Sequence, residues 1–141
     1  MLSIYLFTAA VAWAVAQAMK YVIGVIKNGR WSDTSRVLHS GNMPSVHTAT
    51  AVALSVIIGL KDGTESGLFA LSLLLTAIVA YDAMGVRRSS GEQGLALLKI
   101  LKPGSKNPYL ALGHTPLEVA VGAIIGIVAS LLVAFFTSYF S

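Results

Sequence analysis

Four apolar stretches, residues 2–26, 45–60, 67–86 and 115–140, leave this chain few ways to fold in water. A membrane-crossing helix needs about 20 mainly apolar residues to cover roughly 30 Å of hydrocarbon, and all four stretches approach or meet that length. Composition agrees, since 55% hydrophobic and 11% charged residues make the chain too apolar for an ordinary water-soluble domain. At 141 residues the expectation is a single all-α domain, an integral membrane bundle of four transmembrane helices. The second stretch is the shortest. It reaches a full span only if Pro44-Ser45-Val46-His47 form its first turn, which sets His47 at the membrane interface.

The connections carry the polar residues. Residues 27–43 hold Lys27, Arg30, Asp33, Arg36 and His39, while residues 61–66 are just long enough to close a helical hairpin. Arg87-Arg88-Ser89-Ser90-Gly91 follow the third stretch. In residues 92–102, Leu95, Leu97, Leu98 and Leu101 recur among polar residues at roughly helical spacing. This pattern predicts a short amphipathic helix in the interface between the third and fourth spans, ended by Pro103-Gly104. Spans joined by short connections alternate in direction, so the first and third connections share one membrane face. Nine of the ten Lys and Arg residues, all but Lys61, fall on it. The positive-inside rule makes that face cytoplasmic, with both termini opposite, in a bacterial or organellar inner membrane. The N-terminus has no basic region ahead of its apolar stretch, so it reads as a retained span. Ala14-Val-Ala16 is a poor cleavage site.

Two histidine motifs open two of the spans on this one face: Pro44-Ser45-Val46-His47, and His114-Thr115-Pro116-Leu117-Glu118. Thr115 reads as an N-cap, Pro116 as the first helical residue and Glu118 as the return partner of a capping box. Glu118 is equally placed to hold the His114 ring in one tautomer, as a nucleophilic or basic histidine requires. The two roles are compatible. Ser45 is the matching N-cap of the second span, where free N–H groups and the helix dipole favour a phosphate. Arg87 and Arg88 are either bidentate phosphate ligands or simple headgroup anchors. Asp82 lies inside a span, where a carboxylate is costly. It is either a supporting site residue or one half of a structural ion pair with a nearby arginine. Gly122, Gly126 and Ser130 form a small-residue stripe for close helix packing, and His39 is a loop residue.

These motifs resemble the phosphatidic acid phosphatase type 2 superfamily, which includes vanadium-dependent haloperoxidases. The family pattern is K-x6-R-P, then P-S-G-H, then S-R-x5-H-x3-D, set around the last four of typically six membrane helices. Pro44 to His47 fit the second motif with Val46 in place of glycine, and His114-x3-Glu118 fits the end of the third with glutamate in place of aspartate. No R-P follows a lysine at the family spacing. Lys20, Lys27, Arg30 and Arg36 compete for that role, with Lys27 and Arg36 taken as the phosphate ligands. The S-R pair before the second histidine is missing too, and its nearest equivalent is Asp82-Ala83-Met84-Gly85-Val86-Arg87-Arg88. The pattern is similar to a divergent branch of the superfamily, a core without the first two family helices.

The resemblance implies a membrane lipid-phosphate phosphatase acting on a phosphatidate-like or polyprenyl-phosphate-like substrate. In that scheme His114 forms a phosphohistidine, Glu118 orients it and His47 protonates the leaving alcohol. Arg87, Arg88, Ser45, Lys27 and Arg36 bind the phosphoryl group. No metal or other cofactor is required. The chain has no cysteine, so disulfides and thiolate metal sites are excluded, and three histidines are a weak basis for zinc. A non-catalytic lipid-phosphate binding or transport protein with the same pocket is the main alternative. Vanadate-dependent peroxidase chemistry suits larger, soluble proteins. A basic face that merely binds anionic headgroups leaves the matched histidines and Asp82 unexplained. The expected partners are the membrane and the lipid phosphate, with no nucleic acid. A small bundle is compatible with a homodimer, although no residue specifies one.

Overall fold

The structure, a computed structural model, describes residues 3–28, 43–101 and 112–139, with only the backbone of Lys27 and Asn28. Every regular element among the described residues is a helix: α1 (Ile4–Asn28), α2 (Val46–Asp62), α3 (Gly67–Met84), α4 (Val86–Ile100) and α5 (Pro116–Tyr139). Local chemistry sets the ends. The Ser45 hydroxyl caps α2 by accepting from the Thr48 N–H at 3.4 Å, and the Ser66 hydroxyl caps α3 from the Phe69 N–H at 3.1 Å. Gly63 takes a positive φ of 85°, which glycine adopts without a Cβ clash, and so ends α2 and starts the hairpin into α3.

Directions follow from pairs of contacts. At one end of the bundle the Tyr5 hydroxyl donates to Asp62 Oδ1 at 2.8 Å, joining the start of α1 to the end of α2. The Ser55 and Thr76 hydroxyls bond at 2.8 Å across the antiparallel α2–α3 pair. By contrast α2 and α5 run parallel, because the Ser45 N–H donates to the Glu118 carbonyl at 3.0 Å and the Ser130 hydroxyl donates to the Ala53 carbonyl at 2.8 Å. The starts of α2 and α5 therefore lie together, at the same end as the close of α1 and of α3.

The α2–α5 contact is the centre of the bundle. The small residues of α5 meet a matching stripe on α2: Gly122 lies against the Ser45 backbone, and Gly126 against the backbones of Ala49 and Ala53. A Cβ at either glycine would enter those backbone atoms. In lipid, helices gain little from hiding apolar surface from one another, so close van der Waals approach and interhelical hydrogen bonds must hold them. α1 seals this pair with its own stripe. Ala12 packs with Ala53 and Ala129, and Ala16 packs with Val46, Ala49 and Ile125. The buried Thr8, Ser72 and Ser130 hydroxyls bond to carbonyls of their own helices, as a membrane interior demands. α3 packs chiefly on α2 and leaves Leu71, Leu74, Leu75 and Ile78 more than half or about half exposed.

Among the described residues three runs are long and apolar enough to cross a membrane: Ile4–Ile26, Gly67–Ile100 and Pro116–Tyr139. At 17 residues α2 is shorter than the about 20 a perpendicular span uses. The run Gly67–Ile100 extends beyond the expected residue 86, because the amphipathic segment expected over residues 92–102 starts at Val86. Only Gly85, with φ −101° and ψ −91°, separates it from α3. The polar residues 87–91, read as a connection, are instead the first turns of α4. Side-chain pairs one turn apart support them, Arg88 Nε to Glu92 Oε1 at 3.2 Å and Gln93 Nε2 to Ser89 Oγ at 3.3 Å. Pro103 and Gly104, expected to end the helix, lie outside the described residues.

The two stripes make a direct prediction. Gly126→Ala should destabilise the protein by about 1–3 kcal/mol, since its new methyl meets backbone that cannot move aside. Gly24→Ala, whose Cβ would have nothing within 4 Å, should leave stability unchanged or slightly raised. Reversible unfolding in mixed micelles compares the two; equal effects would contradict close α2–α5 packing.

Candidate functional site at the shared helix starts

Three chain segments converge where α2 and α5 begin, and backbone hydrogen bonds tie them. Ser45 N–H donates to the Glu118 carbonyl, joining the first histidine motif to the second. The His114 N–H donates to the Ala83 carbonyl at 2.8 Å, joining the second motif to the end of α3. Gly113 presses on the Arg88 backbone so closely that any side chain there would collide with it. His114 thus hangs on the α3–α4 elbow on one side and on α2, through α5, on the other.

Glu118 performs both tasks open to it. Its Oε2 accepts from the Thr115 N–H at 2.9 Å, while the Glu118 N–H donates to Thr115 Oγ1 at 3.3 Å, which completes a capping box. The same Oε2 lies 3.2 Å from His114 Nδ1. With Nδ1–H donating to this carboxylate, a neutral His114 carries its lone pair on Nε2. The His114 side chain is only 4% exposed. Burial pushes the imidazole below its usual range. The Glu118 hydrogen bond and charge oppose that, and the charges of Lys20 and His47 act in the same direction as burial.

Charge from three more helices reaches the site. His47, exposed in the first turn of α2, feels Arg87, Lys20 and Asp82. Arg87 Nη2 pairs with Asp82 Oδ2 at 3.1 Å, with both side chains over one-third exposed, so the arginine is held by a carboxylate five residues before it, across the Gly85 break between α3 and α4. Arg88 points elsewhere. Its guanidinium pairs with Glu92 at 3.2 Å and is half exposed. Of the arginine pair, only Arg87 acts on His47.

Sequence reasoning did not select Lys20 as a ligand, yet it is the cation that acts on both histidines. It is 8% exposed and continues the stripe of Ala12 and Ala16 on α1, facing the starts of α2 and α5. Two signals were available. A lysine inside an apolar run is costly, and Lys20 precedes Lys27 at the K-x6 spacing of the resembled motif. Ser45, expected both as the N-cap of the second span and among the phosphate ligands at that helix start, is placed by the structure as the cap. Ser45 is fully buried, with Oγ spent on the Thr48 N–H and 2.9 Å from Thr48 Oγ1. The Lys27 side chain, Arg36, Arg30 and His39 lie outside the described residues. Among the described residues no three His, Asp or Glu side chains form a metal-ligand group.

Burial, which outweighs the opposing Glu118 contribution at His114, fixes the sign of a pH experiment. A folded value below the unfolded one means that the unfolded chain takes up its proton first as pH falls. Stability from this group is therefore complete above about pH 6.5 and drains away below it until the folded imidazole also protonates. Histidine NMR in micelles should place the His114 midpoint below 6.5, and Glu118→Gln should lower it further by removing both opposing effects. A midpoint raised by Glu118→Gln contradicts this electrostatic account.

Comparisons with known proteins show the family. Residues 2–129 fit the model of the divergent PAP2 family, a stretch that includes both histidine motifs, Lys20, Asp82 and Arg87. The "uncharacterized membrane protein YuiD" of Bacillus subtilis (strain 168) is 35% identical over 149 residues, covering 93% of this chain and 94% of that protein. No solved structure matches the chain. With spanning helices, paired histidine motifs and a family match over nearly its full length, the chain is an integral membrane protein of the divergent PAP2 family.

Proposed function

We propose that this protein is a membrane lipid-phosphate phosphatase working through a phosphohistidine at the membrane interface. The observation that carries the reading is the Glu118–His114 pair, a carboxylate holding Nδ1 of a buried imidazole on which the charges of His47 and Lys20 act, while Arg87 acts on His47. His114 Nε2 attacks phosphorus and the bond to the lipid oxygen breaks. His47, as imidazolium, gives its proton to that oxygen, releasing the alcohol. Neutral His47 then takes a proton from water, whose oxygen attacks the phosphohistidine, frees inorganic phosphate and restores Nε2. Lys20 and Arg87 neutralise the phosphoryl oxygens, on which negative charge is spread in the transition state. Asp82 and Ser45 act indirectly, the first by holding Arg87 and the second by fixing the start of α2 that presents His47. The substrate class is a phosphatidate-like or polyprenyl-phosphate-like monoester or pyrophosphate.

In this reading α2 crosses as a fourth span with its first turn in the interface. α4 lies along that interface, with Leu95, Leu97 and Ile100 exposed beside Glu92, Gln93 and Lys99. The site face is cytoplasmic by its excess of Lys and Arg, and both termini lie opposite. The near-complete burial of His114 favours a second reading, a non-catalytic lipid-phosphate binding or transport protein that keeps the pocket.

Phosphate release by the purified protein from a panel of lipid phosphates and pyrophosphates separates the two. Wild type should release phosphate, His114→Ala should abolish release, and His47→Ala should slow it roughly 10²–10⁴-fold. Binding of a lipid phosphate without release from any member of the panel would establish the non-catalytic reading.

A further inference from the structure

The cations that would neutralise a phosphate create a difficulty for the acid beside them. Lys20 and Arg87 both act on His47, and a positive charge near an imidazole disfavours its proton-bearing form. His114 is within electrostatic reach as well, since His47 acts on it. Against these stands one carboxylate. Among the described residues Asp82 alone brings negative charge to His47, while Glu118 is spent on His114 and the Thr115 N–H. The fold accounts for this. Ser55 and Thr76 face each other across the antiparallel α2–α3 pair. His47 lies eight residues before Ser55, and Asp82 six after Thr76. At the helical rise these are about 12 Å and about 9 Å along the two axes, so the residues stand at nearly one level. The peptide beside Asp82 is anchored there, because the Ala83 carbonyl accepts from the His114 N–H. The Arg87 pair at 3.1 Å restrains the carboxylate itself, across the Gly85 break.

We propose that Asp82 is a positioning residue for His47, a shared counter-charge that keeps the imidazole proton-bearing while it restrains Arg87. This rests on the reading of His47 as the general acid and adds what keeps that acid charged. A purely structural ion pair would involve Arg87 alone, yet the carboxylate acts on two helices, on Arg87 at the start of α4 and on His47 at the start of α2. A general acid works best when its proton affinity suits the operating pH, and two uncompensated cations would pull His47 away from that match. The contribution counts most before substrate arrives, because a bound phosphate brings negative charge of its own. The proton that leaves His47 goes to the departing lipid oxygen. Asp82 neither gives nor takes one.

The test follows the histidines of the full chain by NMR across pH in micelles, with no substrate present. Asp82→Asn should lower the His47 midpoint, and Asp82→Glu, which keeps the charge, should restore most of it. Arg87→Gln should raise it. The decisive sample is Asp82→Asn in the Arg87→Gln background. A direct effect lowers the His47 midpoint there too, whereas a carboxylate that acts only by holding Arg87 leaves it unmoved and overturns the proposal. Glu92→Gln makes the same charge change at the exposed Arg88 pair and should leave His47 where it was. A shift equal to that of Asp82→Asn would overturn the proposal as well. Wild type gives a check that needs no variant to fold: the Asp82 carboxyl carbon resonance should move as His47 titrates, and a signal indifferent to His47 contradicts the pairing. Phosphate release from a lipid phosphate, measured against pH on the same proteins, keeps the two readings apart. With Asp82→Asn the alkaline limb of kcat should move to lower pH, in step with the His47 midpoint. Coupled midpoints without release from any lipid phosphate leave Asp82 paired with His47 and remove the phosphatase. Release whose pH profile ignores Asp82→Asn keeps the phosphatase and overturns the proposal.

Discussion

The close parallel contact of α2 with α5 is the constraint on which the rest of the structure depends. Helices surrounded by lipid cannot be held together by hiding apolar surface, so backbone approach must supply the cohesion. Gly122 and Gly126 allow that approach against Ser45, Ala49 and Ala53, and the Ser130 hydroxyl fastens it by donating to the Ala53 carbonyl. Because the two stripes are in register, the starts of both helices arrive at one level of the bundle. The histidine motifs sit at those starts. Packing deep in the bundle therefore decides how His47 and His114 are placed relative to one another.

The same economy governs the site itself. A single carboxylate, Glu118, fixes the start of α5 and the tautomer of His114, so helix position and ring orientation cannot drift independently. The peptide groups of Ser45 and His114 are anchored to Glu118 and Ala83, which ties α2, α3 and α5 together beneath the side chains. Anchoring of this kind lowers the cost of holding these side chains in place. Lys20 and Arg87 bring positive charge from α1 and from the start of α4, and Asp82 restrains the arginine.

Much of this was legible in the sequence, and the reasons are physical. Apolar length marked the helices, and Thr115-Pro116-Leu117-Glu118 specified a capping box because each residue type has one dominant role at a helix start. The Gly122, Gly126 and Ser130 stripe announced a close contact. Its partner was hidden, since Ser45, Ala49 and Ala53 are ordinary residues whose role exists only once α5 lies against them. Arg87 and Arg88 read as equivalent neighbours, but successive helical residues diverge by about 100°, which sends Arg88 to Glu92 and leaves Arg87 with Asp82. In the sequence Lys20 competes with Lys27, Arg30 and Arg36 for one role, and nothing in the sequence ranks it first. Its place on the Ala12–Ala16 stripe becomes meaningful only when α1 is packed against α2 and α5.

The central claim is that His47 and His114 serve one phosphate site assembled by the α2–α5 contact. The most direct measurement is a titration of the protein with orthophosphate, followed by NMR of its three histidines. The account predicts that His47 and His114 shift together along one saturation curve, and that Lys20→Met weakens both responses equally. A phosphate that shifts one of these histidines and leaves the other unmoved would contradict it.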